Sequence, residues 1–345
     1  MSMTFTTRRK LQRFGVVALV LLTVAVLVWL CWVIWLERYV VYTDLGASLN
    51  FELADPGIGQ SAAPPSAEET VAIYFNEGDA AIDANAELTQ IGGYYITADD
   101  LKNDMSTTRE TISTLTAGTA VMIELKSIKG SFYYTSELSD AVYATNMDIA
   151  AVDSLIQDLN SRNLYTIACV PAFRDWSYGL NHVSSGLPLP QGYLWVDNDG
   201  CYWLDPTDSG TMGWLYSIAN ELRDLGFNEV VFTDFRFPDT EKIVFNGDKN
   251  EAIVNAANSL AVTCAKDNFA VSFVTGNYGF TLPEGRCRMY LENVGAKDVG
   301  SIVAQVSVPD LAANLVFLSS TNDTRFDAYS VLRPIVTSQD DMSRS

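Results

Sequence analysis

The chain has 345 residues and 37.9 kDa, with 48% hydrophobic and 19% charged positions, too apolar a balance for a disordered chain. Acids outnumber bases 42 to 22, a formal charge of −20. That disfavours nucleic acid as a partner, because phosphate binding needs clustered Lys and Arg. A single histidine, His182, excludes metal sites with two His ligands and forces any Ser-His-Asp triad to run through it.

From Phe14 to Leu36 run 23 residues without a charge. As a helix rising about 1.5 Å per residue they would reach roughly 35 Å, enough for a hydrocarbon core of about 30 Å. Arg8, Arg9, Lys10 and Arg13 precede the run, and Trp29, Trp32, Trp35 and Tyr39 crowd its far end. The positive-inside rule predicts residues 1–13 as a cytoplasmic tail, 14–36 as a single transmembrane helix in the cell membrane, and an extracellular C-terminal domain. No A-x-A-like site follows Leu36, as a cleaved signal peptide needs, and Trp29 and Leu30 stand where a lipoprotein carries small residues before its cysteine. With this topology the outer part holds 18 bases against 42 acids, a solvated surface poorly suited to anionic lipid. Its four cysteines, Cys169, Cys201, Cys264 and Cys287, are too far apart for a C-x-x-C metal site, and their spacing leaves any disulfide pairing open.

Residues 37–69, with Pro56, Gly57, Gly59, Pro64 and Pro65, read as a stalk or linker, residues 70–337 as the folded domain, and 338–345 as a polar tail. Within the domain, Val71 to Phe75 could add an edge strand. Tyr94 to Thr97 is β-like, and Asp99 to Leu115 is helix-like. Ala120 to Leu125 is an apolar run of the kind a buried parallel strand needs. A helical stripe at Val152, Leu155, Ile156 and Leu159 precedes the strand Tyr165 to Val170. A second stripe, at Met212, Leu215, Ala219 and Leu222, ends at Gly226 before the strand Glu229 to Phe232. A third, Ile253 to Cys264, precedes Phe269 to Val274. Met289 to Leu291, Ile302 to Val306 and Leu315 to Leu318 are shorter strand candidates. Repeated β-then-α alternation predicts a parallel sheet with helices outside. The 245 residues from Gly92 to Val336 fit the roughly 250 of a (β/α)8 TIM-like barrel, less regular in its last third. No Gly-rich phosphate loop follows the first strand, and no organic cofactor is implied.

In such barrels the site lies at the C-terminal strand ends. That rule selects Glu124, Lys126 and Ser127, then Arg174 and Asp175, then Asp234 and Arg236, and then Glu292. Acids gathered on one rim suit glycoside hydrolysis, where one carboxyl protonates the leaving oxygen and another acts as nucleophile or activates water. Taken singly, each acid is better read as a surface charge or a buried ion pair. The stretch from Asp175 to Trp214 concentrates Trp176, Tyr178, Tyr193, Trp195, Tyr202 and Trp203, flat rings that match the apolar faces of sugars, beside Asp197, Asp199 and Asp205. Some of these rings would serve only to anchor a long loop. His182 is read as a solvated loop residue without a catalytic role. Asp197-Asn198-Asp199-Gly200 reads as a turn, because the terminal Glu of a calcium loop is missing.

Thr119 to Asp239 resembles domain-of-unknown-function family 4015, a TIM-barrel family of glycoside-hydrolase-like envelope proteins. The resemblance runs through AVMIELKSIKGSFYYTS, LYTIACVPAFRD, GYLWVDNDGCYWLDP and GWLYSIANELRDLGFNEVVFTDFRFPD. Phe173-Arg174-Asp175 falls on the family's Phe-Lys-Asp, Trp203-x-Asp205-Pro206 on its Trp-x-Asp-Pro, and Arg236-Phe237-Pro238 on its Arg-Phe-Pro. The chain departs from the family at two acids. Glu124-Leu125-Lys126-Ser127 stands for Asp-x-Lys-Asp, and Thr233-Asp234 stands where the family has Asp-Tyr. Strand alternation puts Thr233 inward and Asp234 outward unless the pleat breaks at the strand end.

With the anchor read from residues 14–36, the resemblance implies a glycoside hydrolase domain displayed outside the membrane, whose partner is an envelope or extracellular polysaccharide or other glycan. Asp234 and Glu124 are the expected catalytic pair, with Glu292 in reserve. Tyr95, Lys126, Arg174, Asp175, Trp195, Trp203, Asp205 and Arg236 are the expected substrate-binding residues. The altered acids leave a second reading, a non-catalytic carbohydrate-binding or scaffold protein of the envelope.

Overall fold

The computed structural model describes Trp29 and residues 40–43, 46–49, 88–264 and 268–336. The expected cytoplasmic tail, the anchor apart from Trp29, the strand at Val71 to Phe75 and the polar tail lie outside these residues. Among the described residues no helix is long and apolar enough to cross a membrane. The chain divides into two units, Met1–Ile58 and Gly59–Ser345. In the first, Val40–Thr43 pairs antiparallel with Gly46–Leu49, Val40 opposite Leu49. This ladder replaces part of the expected linker, because Val40, Val41 and Tyr42 are strong strand formers.

The second unit is built on a closed barrel of parallel strands. They are β1 (Gly92–Ile96), β2 (Ala120–Glu124), β3 (Tyr165–Pro171), β4 (Glu229–Thr233), β5 (Ala270–Val274), β6 (Met289–Glu292), β7 (Leu315–Leu318) and β8 (Ser330–Pro334). Each strand pairs with its neighbours in sequence, and β8 closes on β1 with Val331 opposite Gly92 and Pro334 opposite Tyr95. Closure removes the unpaired edges that an open sheet would expose. Glycine is required at Gly93, where a Cβ would lie 1.8 Å from the Ala120 carbonyl oxygen.

Side chains alternate across this wall. Ala120, Met122, Ile167, Cys169, Val231, Tyr290, Val316 and Leu332 fill the interior, while Val121, Ile123, Ala168, Val170, Val230 and Phe232 face the helices. The helices lie over β1 to β5 as the periodicity predicts. Helix α1 (Ala98–Asn103) and α2 (Met105–Ser113) follow β1, and α3 (Ile149–Ser161) follows β2. Next come α4 (Trp176–Asn181) and α5 (Ser209–Asp224) after β3, then α6 (Lys249–Cys264) after β4. Asp148 caps α3 by accepting the Ala151 N–H, and Val152, Leu155, Ile156 and Leu159 bury its inner face. Each such side chain contributes about 1.5–3 kcal/mol of apolar burial.

Three details differ from expectation. The single helix at Asp99 to Leu115 is two helices, broken at Asp104, whose backbone (φ −128°, ψ 24°) is not helical. Ile302 to Val306 is not a strand: α7 (Val299–Val303) buries Val299 and Ile302, three residues apart on one helical face. Strand β8 was hidden by its Arg333 and Pro334. The last third is irregular, since no helix joins β5 to β6, α7 and α8 (Leu311–Asn314) are short, and β7 reaches β8 through one 3-10 turn, Thr324–Phe326.

Candidate active site

The N-terminal end of the barrel is sealed by a buried polar network. Arg288 donates from Nη1 to Glu229 Oε2, which also accepts the Tyr165 hydroxyl at 2.9 Å, and Tyr290 donates to Oε1 at 2.9 Å. Arg288 also donates to the Ala313 and Thr89 carbonyls at 2.9 and 3.1 Å. Every charge here has a partner, as burial demands. Met122, Ile167, Cys169 and Val231 lie above this floor. The opposite, C-terminal end of the strands is the mouth of the barrel.

Three carboxyl groups meet at that mouth. Glu124 ends β2, and its Oε2 accepts the Ala98 N–H at the start of α1 at 2.9 Å. Glu292 ends β6. Asp234 follows β4 in the left-handed conformation, φ 48°, a geometry Asp tolerates better than most residues. The pleat thus breaks one residue beyond Thr233. Phe235 packs into the layer under the helices, 4.7 Å from Phe173 and 4.4 Å from Phe273 between ring centroids, and is 1% exposed. With Phe235 anchored there, the turn carries the Asp234 carboxyl to the mouth.

The electrostatics report the same convergence. Burial raises the Glu292 pKa, although part of the side chain is open to solvent, and the charges of Asp234 and Glu124 raise it further. Burial also raises Asp234, opposed by Arg174 and Arg236 and assisted by Asp197 and Asp199. Glu124 is raised by burial and pulled back by the Ala98 N–H. The Cys169 thiol beneath them is raised well above its usual range, by burial first and then by Glu124, Glu292 and Asp234 together. Tyr133, a residue without a signal of its own in the sequence, lies by Glu124, and burial and that charge push its hydroxyl up to about 12. Such shifts are those of acids held in a shared, partly dry site.

The expected binding residues fall into different places. Tyr95 lies on the inner face of β1, packed against the barrel interior. Lys126 and Asp175 are 0% and 1% exposed and pair with each other at 2.5 Å. Asp175 also caps α4 through the Tyr178 N–H at 2.9 Å and accepts Trp214 Nε1 at 3.2 Å. These contacts take up both side chains, so neither is presented to a sugar. Trp195 and Trp203 are 4% and 3% exposed, so the expected stacking platform is buried. Trp203 donates Nε1 to Asp197 at 2.9 Å, and the guanidinium carbons of Arg236 and Arg174 lie 5.0 and 5.9 Å from its ring centroid. Its faces are occupied by the protein's own cations.

Asp197 organises the loop. It accepts Arg174 Nε at 2.6 Å and the Asp199 and Cys201 N–H groups at 3.0 and 2.8 Å, and Arg174 reaches Asp199 as well. A turn at Asn198 and Asp199 follows it, as its residues predict. Asp205 caps its own turn through the Thr207 N–H and hydroxyl at 2.8 and 2.7 Å. Arg174 and Arg236 stay electrostatically coupled to Asp234. His182 Nε2 lies 3.1 Å from Asp140 Oδ1, and its ring stacks on Tyr178 at 4.2 Å. All four cysteines of the second unit, Cys169, Cys201, Cys264 and Cys287, are buried. Among the described residues no group of three or more His, Cys, Asp or Glu side chains could hold a metal.

A closed parallel eight-stranded barrel with acids at the C-terminal strand ends defines an α/β barrel protein of the TIM-like class. Residues 93–274 match the family model described as "Putative glycosyl hydrolase domain", and the chain belongs to that family, domain-of-unknown-function family 4015. No curated protein sequence matches the chain. Among solved structures, a hypothetical protein from Ruminiclostridium thermocellum is similar at 21% identity, covering 52% of this chain and 96% of its own, with a TM-score of 0.45. The β-N-acetylhexosaminidase of Bacteroides fragilis is 10% identical over 68% of this chain, which spans 51% of that enzyme, with a TM-score of 0.46. The glycoside hydrolase domain of PelA from Pseudomonas aeruginosa is 12% identical over 73% of this chain and 98% of its own, with a TM-score of 0.42.

Proposed function

We propose that the protein is a membrane-anchored glycoside hydrolase that acts on an envelope or extracellular polysaccharide at the barrel mouth. The observation that carries this reading is the placement of Glu124, Asp234 and Glu292 at the ends of β2, β4 and β6, near enough that Asp234 and Glu124 raise the Glu292 pKa and all three raise the Cys169 thiol. Glycoside hydrolysis needs one carboxyl that is protonated at working pH and one that is ionised. Glu292 suits the acid, because burial and the charges of Asp234 and Glu124 raise its pKa. Asp234 suits the nucleophile or base, because Arg174 and Arg236 favour its charge. Glu124, tied to the Ala98 N–H, would supply the third charge and add to the rise of the Glu292 pKa. The anchor and outward orientation rest on the charge-free run from Phe14 to Leu36 and the four bases before it.

The test is release of reducing ends from a panel of bacterial polysaccharides by the full chain in detergent, with Asp234→Asn and Glu292→Gln as controls. Hydrolysis lost in both variants supports the reading. Tight glycan binding without hydrolysis would make the protein a carbohydrate-binding domain instead. That second reading is favoured by Ser127 and Thr233, which stand where the family carries acids. Protease protection of residues 1–13 in intact cells, with the barrel digestible from outside, tests the orientation.

A further inference from the structure

Beside the mouth, between the ends of β4 and β5, lies a cleft of about 350 Å³. It opens next to Asp234, since Phe235 and Arg236 line one side and Thr275, the residue after β5, lines the other. Its chemistry is opposite to that of the rest of the chain. Acids outnumber bases 42 to 22 overall, yet no carboxylate lines this cleft, while Arg236 and Lys249 both do. Two other cations near the barrel mouth are spent on carboxylates, Lys126 on Asp175 and Arg174 on Asp197 and Asp199. Arg236 and Lys249 have no carboxylate in ion-pair contact among the described residues. Arg236 donates to the Phe237 carbonyl at 3.2 Å and lies over Trp203. Lys249 reaches the Thr240 carbonyl at 3.4 Å and lies 5.9 Å from the Phe237 ring centroid. Both cations are therefore held in place by carbonyls and rings, and only Arg236 feels a carboxylate, the neighbouring Asp234, without an ion-pair contact to it. Phe237 and Phe280 add apolar wall, and Asn250 and Asn277 add amide donors and acceptors.

We propose that this cleft is a subsite for an acidic sugar, whose carboxylate pairs with Arg236 and Lys249 while the ring lies along Phe237 and Phe280. The substrate class is thus an anionic polysaccharide, with a uronic acid next to the bond presented to the acids of the mouth. The inference rests on the reading of the mouth as a glycan site and narrows it. Guanidinium and ammonium groups form charge-assisted hydrogen bonds to a carboxylate, about twice as strong as neutral ones. A neutral sugar would leave Lys249 without a carboxylate and Arg236 with only the neighbouring Asp234.

The experiment is calorimetric titration of the full chain in detergent with matched oligosaccharide pairs: oligogalacturonate, oligomannuronate and hyaluronan fragments, each against its carboxyl-esterified counterpart. Inorganic phosphate serves as a competitor, to separate an acidic sugar from any small anion. At least one acidic member is expected to bind ten-fold or more tightly than its ester. That preference should shrink several-fold between 50 and 500 mM NaCl and disappear in Lys249→Gln and Arg236→Gln. Because Lys249 is the first residue of α6 and has only a long carbonyl contact, Lys249→Gln should retain the wild-type melting temperature, so loss of binding in it is not loss of fold. Equal binding of acid and ester, an acidic preference that survives both substitutions, or displacement by phosphate alone at equal affinity would each overturn the acidic-sugar subsite while leaving a glycan at the mouth. Failure of every acidic and esterified oligosaccharide to bind would overturn the glycan reading itself.

Discussion

Asp175→Ala should destabilise the barrel without touching the chemistry at its mouth. Asp175 and Lys126 are sealed from solvent and 2.5 Å apart, and Asp175 satisfies the Tyr178 N–H and Trp214 Nε1 at 2.9 and 3.2 Å as well. Removing the carboxylate leaves a buried ammonium and two buried donors unpaired. Breaking a buried ion pair from one side costs about 3–5 kcal/mol, a large share of the roughly 5–15 kcal/mol that holds a domain folded. The loss of the α4 cap, about 1 kcal/mol by itself, falls within that figure. Lys126→Met should cost less, because Asp175 keeps its two N–H donors. The double variant Lys126→Met/Asp175→Asn should recover part of the loss, since no charge is then stranded. Urea unfolding followed by tryptophan fluorescence measures all three, and Trp214 reports on the site directly. A cost below about 1 kcal/mol for Asp175→Ala, together with abolished glycan binding, would refute the reasoning. It would return both residues to the substrate-contacting role that their place after β2 and β3 suggests.

Asp234→Asn, which keeps the left-handed turn accessible, should lower kcat by at least about 10³-fold with a melting temperature at pH 7 no lower than wild type, since burial raises the Asp234 pKa. A rate near wild type in the reducing-end assay would remove Asp234 from the reaction. Glu292→Gln should raise the melting temperature at pH 7. The folded pKa of Glu292 lies above its ordinary 4.5, so ionising it costs stability as pH rises through the folded value, and Gln avoids that cost. Below pH 4.5 both proteins are neutral there and the difference should vanish; a gain that persists at pH 3 would mean its origin is not ionisation. Trp203→Ala should cost about 3–5 kcal/mol in urea unfolding, the signature of a buried ring rather than a sugar platform. Gly130→Ala should destabilise as well, because Gly130 has φ 86° and its Cβ would lie 2.4 Å from Asp175 Oδ1; a circular-dichroism melt reads the shift.

The barrel was legible in the chain because its cause is local and repetitive. Apolar runs such as Ala120 to Leu125 and stripes such as Val152, Leu155, Ile156 and Leu159 carry the strand and helix periods, and their alternation dictates parallel pairing. Where the local signal is weak, as at Ile302 or Ser330 to Pro334, only the closing of β8 on β1 and the packing of α7 decide the element. The site divides along the same line. Acids at the ends of β2, β4 and β6 are named by the strand-end rule alone, because a strand's C-terminus points to the mouth whatever surrounds it. Whether a polar or aromatic side chain there meets solvent depends on partners far away in sequence. Lys126 is buried by Asp175, 49 residues on, and Trp203 by Arg236 from beyond β4. Alternation would have sent Asp234 outward. It reaches the mouth because Phe235 finds Phe173 and Phe273 in the core, and the chain turns left-handed to allow both.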